Sequence, residues 1–155
     1  MKRMLASSAV GLAAVVLASA AFASDLKPEE QIQIRQAGYS FMGWNMGKIK
    51  ANLQGEYNAD QVSAAANTIA AIANSGMGAL YGPGTDKDIG DVKTYVKPEL
   101  FENMEDVGRL AHDFVAAADN LASVADGGDK AAVKSAFGDL GAACKACHKK
   151  YRADD

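Results

Sequence analysis

The chain has very little cysteine and histidine, and past residue 23 it has no long apolar run. Cys144 and Cys147 are its two cysteines, three residues apart. Domains stapled by disulfides normally use several bridges that close longer loops, and one bridge over so short a loop constrains little of a fold. These thiols are present for chemistry. Histidine is confined to His112 and His148, so a tetrahedral zinc site would need every cysteine and histidine of the chain, with Cys147 and His148 adjacent. Alternating apolar and polar runs bounded by hairpin dipeptides are missing, which removes the need for strands.

Positive charge is also scarce. The first residues carry Lys2 and Arg3, then an uncharged stretch over residues 4–23 that closes on the small-residue sequence Ala21-Phe22-Ala23. That is the layout of a cleaved secretory signal peptide over residues 1–23, with export to the periplasm and a mature domain over residues 24–155. An uncleaved anchor is the alternative, weakened by the alanine and serine content of the run and the cleavage site that follows. Without Lys2 and Arg3, fourteen basic side chains face nineteen acidic ones, a net charge of −5. Nucleic-acid binding is disfavoured because phosphate contacts need clustered cations. No later segment reaches membrane-spanning length, so no membrane association is expected after signal cleavage.

Apolar spacing predicts four helices. The first starts near Pro28 and stops before Gly55, with Ile32, Arg35, Tyr39, Met42, Met46, Ile49 and Leu53 as its inward stripe. The second opens at Asn58 or Asp60 and ends at Asn74-Ser75-Gly76. A long irregular stretch leads to Pro98 and is expected to cross one end of the bundle. The third runs over residues 98–124, with Phe101, Met104, Val107, Leu110 or Ala111, Phe114, Ala118 and Leu121 inward. The fourth runs over residues 130–152. The expected architecture is all-α, an antiparallel four-helix bundle able to hold a cofactor between facing helices. Small residues at inward positions are expected to leave room for it.

Cys144-Lys145-Ala146-Cys147-His148 has the spacing of a c-type haem attachment motif. On a helix, steps of three and four project from one face, so both sulfurs and the imidazole meet the same object. One covalent haem c per chain follows, with His148 as an axial iron ligand. A thioredoxin-like dithiol would instead sit at the start of a helix after a strand. The other side of the iron decides between an electron carrier and an open gas site. His112, Met42, Met46, Met77 and Met104 are the candidate sixth ligands, and spacing excludes none of them.

Arg35 is the anomalous member of the first helix's inward stripe. A buried arginine calls for an anionic partner, and a haem propionate offers a planar, bidentate one; snorkelling to the bundle end is the alternative.

The C-terminal residues 144–152, Ala136-Phe137-Gly138-Asp139, Ile34-Arg35-Gln36 and Gly82-Pro83-Gly84-Thr85 together resemble the cytochrome c-prime (c') family, the class II c-type cytochromes. The likeness covers the mature chain. It implies five-coordinate, high-spin haem with His148 on the proximal side and a crowded distal side. Low-spin relatives use a first-helix methionine near the place of Arg35, and a guanidinium cannot replace it as a ligand. The resemblance further implies Arg35 and Gln36 at the propionates, Tyr39 over the distal face, Tyr95 and Val96 at the haem edge, Arg152 near the proximal imidazole, and a homodimer through the first two helices. Phe41 and Trp44, off the main stripe, suit such a contact.

The function expected is nitric oxide sequestration, with NO and CO as ligands and one-electron transfer as a further capacity. The alternative is a dedicated electron-transfer cytochrome with an unidentified redox partner. No enzyme activity is expected, since no second acid or base group can be placed near the iron.

Overall fold

The computed structural model describes residues 25–153. The signal-peptide expectation falls on residues 1–23, outside the described residues.

Four long helices account for most of the chain: α1 (Pro28–Gln54), α2 (Ala59–Ala73), α3 (Met104–Asp126) and α4 (Lys130–Tyr151). α1, α2 and α4 begin where local chemistry satisfies free amide groups. Pro28 occupies the first turn of α1, and Glu30 Oε2 accepts from the Lys27 amide at 2.8 Å. Asn58 Oδ1 caps α2 by accepting from the Gln61 amide at 2.9 Å, while Asn52 Oδ1 on α1 accepts from the Asn58 amide at 2.9 Å. The α1–α2 turn is thereby held by a side chain from each helix. Asp129 Oδ1 caps α4 at the Ala131 amide, 2.8 Å away.

The third helix departs from expectation. A one-turn helix, Glu99–Glu102, precedes α3, and the two are separated at Asn103, whose φ of −124° and ψ of 42° leave the helical region. The Asn103 side chain donates to the Glu99 carbonyl at 2.8 Å, taking an acceptor from the preceding turn. Met104, expected inward, stands directly after this break and is 52% exposed, while Leu110, Ala118 and Leu121 further along are buried as expected.

α1 packs on α2, α2 on α3 and α3 on α4, whereas α1 and α4 scarcely touch. The main core lies along the three packed seams. Ile49, Val62, Ile69, Leu121, Val133 and Leu140 are fully buried there. Buried Ala65, Ala66, Ala118, Ala125 and Ala136 belong to that same core. They bring helices together rather than make room, so the expected space comes from the separation of α1 and α4 instead. A smaller cluster of Leu100, Leu110 and Tyr151, joined by Tyr81, Val96, Phe101 and Cys147, fills the end where α4 finishes.

The long connection, a 3-10 turn at Met77–Leu80 followed by residues 81–97, crosses that end as expected. It is fastened to α1 through Gln31, whose Oε1 accepts from the Gly82 amide at 3.1 Å. A Cβ at Gly82 would come within 2.6 Å of that oxygen, so a larger residue here would push the Gln31 amide aside and loosen this fastening. It is fastened to α4 through the Lys97 amide, which donates to Tyr151 O at 2.9 Å, and through Tyr95 O, which accepts from the Ala153 amide at 3.1 Å. The loop therefore joins the two helices that do not pack on each other. Among the described residues, no helix is long and apolar enough to cross a membrane.

Leu140 and Met104 separate core from surface on this reading. Leu140→Ala should destabilise the protein by about 2–5 kcal/mol, and Met104→Ala by less than about 0.5 kcal/mol, both read from chemical denaturation. An equally large loss at Met104 would restore an unbroken third helix.

Candidate haem site

The α4 side of the gap carries the chemistry. Cys144 and Cys147 are not joined in a disulfide, and each is partly buried, Cys144 against the main core and Cys147 in the smaller cluster. Burial pushes both thiols up, which keeps them protonated. The helical spacing of Cys144, Cys147 and His148 gives them one face, as the motif required. His148 is surface-accessible, yet its pKa is lowered, first by burial and then by the charge of Arg152. An imidazole that is both accessible and desolvated lines a concavity. It is held neutral, the state that offers a lone pair to a metal.

His148 shares a cavity of about 540 Å³ with Cys144, Lys145, Lys149 and Arg152. A larger depression of about 710 Å³ lies at the α1–α2 turn, beside Asn52, Glu56, Tyr57 and Asp60. It has neither thiol nor imidazole, so the smaller cavity is the chemically relevant one.

Across the gap, α1 presents Arg35 and Tyr39. Arg35 is 1% exposed. Its Nη1 donates to Leu80 O at 2.9 Å and Thr85 Oγ1 at 3.0 Å, and its Nη2 to Thr85 O at 2.9 Å and Thr94 Oγ1 at 2.6 Å. Its plane lies 4.4 Å from the centroid of the Tyr81 ring. Burial lowers its pKa, but a guanidinium stays charged. Four neutral oxygens thus accept from the Arg35 fork. Its charge is nevertheless not neutralised, because no carboxylate among the described residues pairs with it. Gln36 is likewise engaged by the loop, its Nε2 donating to Lys93 O.

Tyr39 lies on the inward stripe yet is 41% exposed, because the stripe faces the gap at this level. Its phenol is pushed far above the usual range, first by burial and then by Tyr81. Accessible to water but enclosed by protein, it too lines a cleft. Its hydroxyl accepts from Tyr81 at 3.2 Å. Cys147 on α4 lies near enough to both tyrosines to act on them electrostatically.

Arg152 caps the end of α4, its amide donating to His148 O at 3.0 Å. Val96 pairs with Arg152 in an antiparallel bridge. Tyr95 adopts a φ of 52°, rare and strained for a residue with a side chain, and leaves its ring 44% exposed. All three therefore gather at the His148 end of α4. The sequence reading missed Tyr81, Thr85 as an arginine partner, and Thr94. Thr85 had a signal in its position after Gly82-Pro83-Gly84; the other two had none.

The candidate sixth ligands are occupied elsewhere. Met42, Met46 and Met77 pack into the main core, Met104 is exposed, and the His112 side chain is 84% exposed beside Asp113. Among the described residues, no group of three His, Cys, Asp or Glu side chains could hold a bare metal ion. A thiol pair and neutral imidazole on one helix face, an unneutralised buried cation, and two helices kept apart fit haem.

Comparison with known proteins agrees. A family model described as cytochrome C' matches residues 30–152. The cytochrome c' of Allochromatium vinosum is 73% identical over 153 residues, 99% of each chain. A solved cytochrome c' with ligand-controlled dimer dissociation is 76% identical, covers 83% of this chain and 98% of its own, and superposes with a TM-score of 0.82. A ferrous variant of the Alcaligenes xylosoxidans cytochrome c' with bound NO is 30% identical over 83% of this chain and 98% of its own, with a TM-score of 0.72. A carbon monoxide-bound variant of that protein also matches, with a TM-score of 0.72 and 31% identity over 83% of this chain and 98% of its own.

Asp106 anchors the cysteine-bearing end of α4 to α3. It accepts from Lys150 Nζ at 2.9 Å, Arg109 Nη2 at 2.7 Å and the Tyr151 hydroxyl at 2.7 Å. These donors, Lys150 foremost, hold its carboxyl well below the usual carboxylate range. A depressed folded-state pKa contributes stability above the unfolded carboxylate value of about 3.9, and that contribution disappears as pH falls below it. Asp106→Asn should melt lower than the parent protein at neutral pH and lose less between about pH 5 and about pH 2, by thermal unfolding. Parallel melting curves across that window would remove the clamp.

Proposed function

The chain belongs to the cytochrome c' family, and from that premise we propose that it is an exported, periplasmic, high-spin c-type cytochrome that binds NO and CO and protects by sequestering nitric oxide. Haem c is the cofactor of the family. When bound, it supplies an iron that takes a diatomic gas reversibly and exchanges one electron.

The chain's own residues do the rest. Cys144 and Cys147 provide the sulfurs for two thioether bonds, and His148 provides the axial nitrogen in the neutral form that a metal requires. Arg35 offers its uncompensated charge to a carboxylate. Gln36, Tyr95, Val96 and Arg152 border the site. Tyr39 excludes bulky ligands by filling space.

The observation that carries this reading is the chemistry of the α1 wall. It presents a phenol whose pKa is raised, and so a neutral group that does not compete for iron. A thioether or imidazole there would give a six-coordinate electron carrier. The NO- and CO-bound variants of the Alcaligenes xylosoxidans relative support the choice of ligands. Export is supported by the uncharged run behind Lys2 and Arg3 and its small-residue end.

A homodimer through α1 and α2 belongs to the same proposal. Ile34, Phe41 and Trp44 are 47%, 48% and 58% exposed, and at steps of seven and three they share one face of α1. The relative with ligand-controlled dimer dissociation supports this assembly. Electron transfer is the second reading, favoured by Lys145 and Lys149 at the cavity mouth. In a chain of acidic balance they mark the end that an acidic redox partner would meet.

The ferrous haem-loaded protein should show a five-coordinate, high-spin resonance Raman spectrum. A six-coordinate low-spin spectrum would overturn the open site and promote Met42 or Met46. Tyr39→Ala should raise the CO association rate about tenfold or more, and an unchanged rate would end the steric role. Trp44→Glu should shift the protein towards monomer in sedimentation velocity, and an unaltered dimer would move the interface elsewhere.

A further inference from the structure

We infer that Tyr81 is the positioning residue that holds Tyr39 closed over the cleft, through the hydroxyl–hydroxyl bond between them. This deepens the reading of Tyr39 as a steric gate and rests on it.

The two tyrosines differ in how firmly they are held. Tyr39 stands in the gap with 41% of its surface accessible, and the bond from Tyr81 is the polar contact on its hydroxyl. Tyr81 is braced on several sides. The Arg35 guanidinium covers its ring face at 4.4 Å, and the Phe101 ring lies 6.5 Å away at 52°. Its ring packs with Leu100, Leu110 and Tyr151, and its amide donates to Gly78 O at 3.3 Å. Arg35 also grips Leu80 O, the carbonyl joined directly to the Tyr81 amide. A braced donor aimed at an acceptor that stands in the open gap is a latch.

Arg35 strengthens that donor. A cation over the face of a phenol withdraws electron density from the ring and makes the O–H more acidic, hence a better donor. Tyr81 thus links the loop-fastening arginine to the gate. A ligand entering past Tyr39 must break the Tyr81 bond as the ring swings aside.

The test compares Tyr81→Phe, Tyr39→Phe and the double variant in the ferrous haem-loaded protein, with Tyr39→Ala as the measure of the gate. Each phenylalanine keeps its ring and removes one hydroxyl. CO association should accelerate about threefold to tenfold in either single variant, the scale of one neutral hydrogen bond. The double variant should be no faster than the singles, because one bond is lost in all three. Ultraviolet resonance Raman provides a readout that does not depend on ligand binding: Tyr81→Phe should shift the hydrogen-bond-sensitive tyrosine bands beyond the loss of one residue. If Tyr39→Ala accelerates CO binding while Tyr81→Phe leaves both rate and bands unchanged, the latch is wrong and the gate stands. If Tyr39→Ala has no effect, the gate fails and takes the latch with it. Additive acceleration in the double variant would also overturn the latch, since the two hydroxyls would then act separately.

Discussion

The buried guanidinium of Arg35 is the constraint on which the rest of the architecture depends. α1 and α4 scarcely touch, so their spacing must be set by something that reaches both. The long connection after α2 does this by running from one helix to the other, and four hydrogen bonds from Arg35 to Leu80, Thr85 and Thr94 fix its α1 end. Hydrogen bonds from a charged donor are about twice as strong as neutral ones and impose fixed geometry. A lysine would bring one point charge in place of a planar fork and could not hold two threonines and a carbonyl together.

That choice leaves a cation with its hydrogen bonds satisfied and its charge unbalanced. Satisfaction and neutralisation are separate requirements: carbonyl and hydroxyl dipoles meet the first, and only an anion meets the second. A domain selected for stability alone would place a carboxylate beside Arg35. Strain at Tyr95, with its φ of 52°, and the wide exposure of Tyr39 are departures of the same kind in the same region. Departures from local consistency that gather at one place mark a functional site.

Much of this was legible in the sequence because it is local. Helix limits at Pro28, Gly55, Asn58 and Asp129 follow from capping chemistry within a few residues, and the haem motif follows from spacing on one helix. The break at Asn103 was not legible. It turns on whether an asparagine side chain bonds its own helix, which composition leaves open. The exposure of Tyr39 was hidden for a different reason. Periodicity assigns a residue to the inward face but does not say whether another helix or a gap lies there. Tyr81 and Thr94 were missed because their roles depend on Arg35, 46 and 59 positions earlier in the chain, and no local pattern encodes such a meeting.

The buried alanines show why the gap has to be built by topology. Small residues at helix interfaces draw backbones together, and Ala65, Ala66, Ala118 and Ala136 do so in the packed seams. Had the same residues lined the α1–α4 boundary, those helices would have closed and left the thiols of Cys144 and Cys147 facing protein. Bulky or polar groups stand on the α1 side instead: Arg35 and Tyr39, with Tyr81 behind them. Arg35 is already buried and hydrogen-bonded into the loop, and the Tyr39 hydroxyl is bonded to Tyr81, so neither side chain is free to interdigitate with α4 as the alanines do in the packed seams. The α1 side is therefore built as the wall of a cofactor site and not as a helix seam.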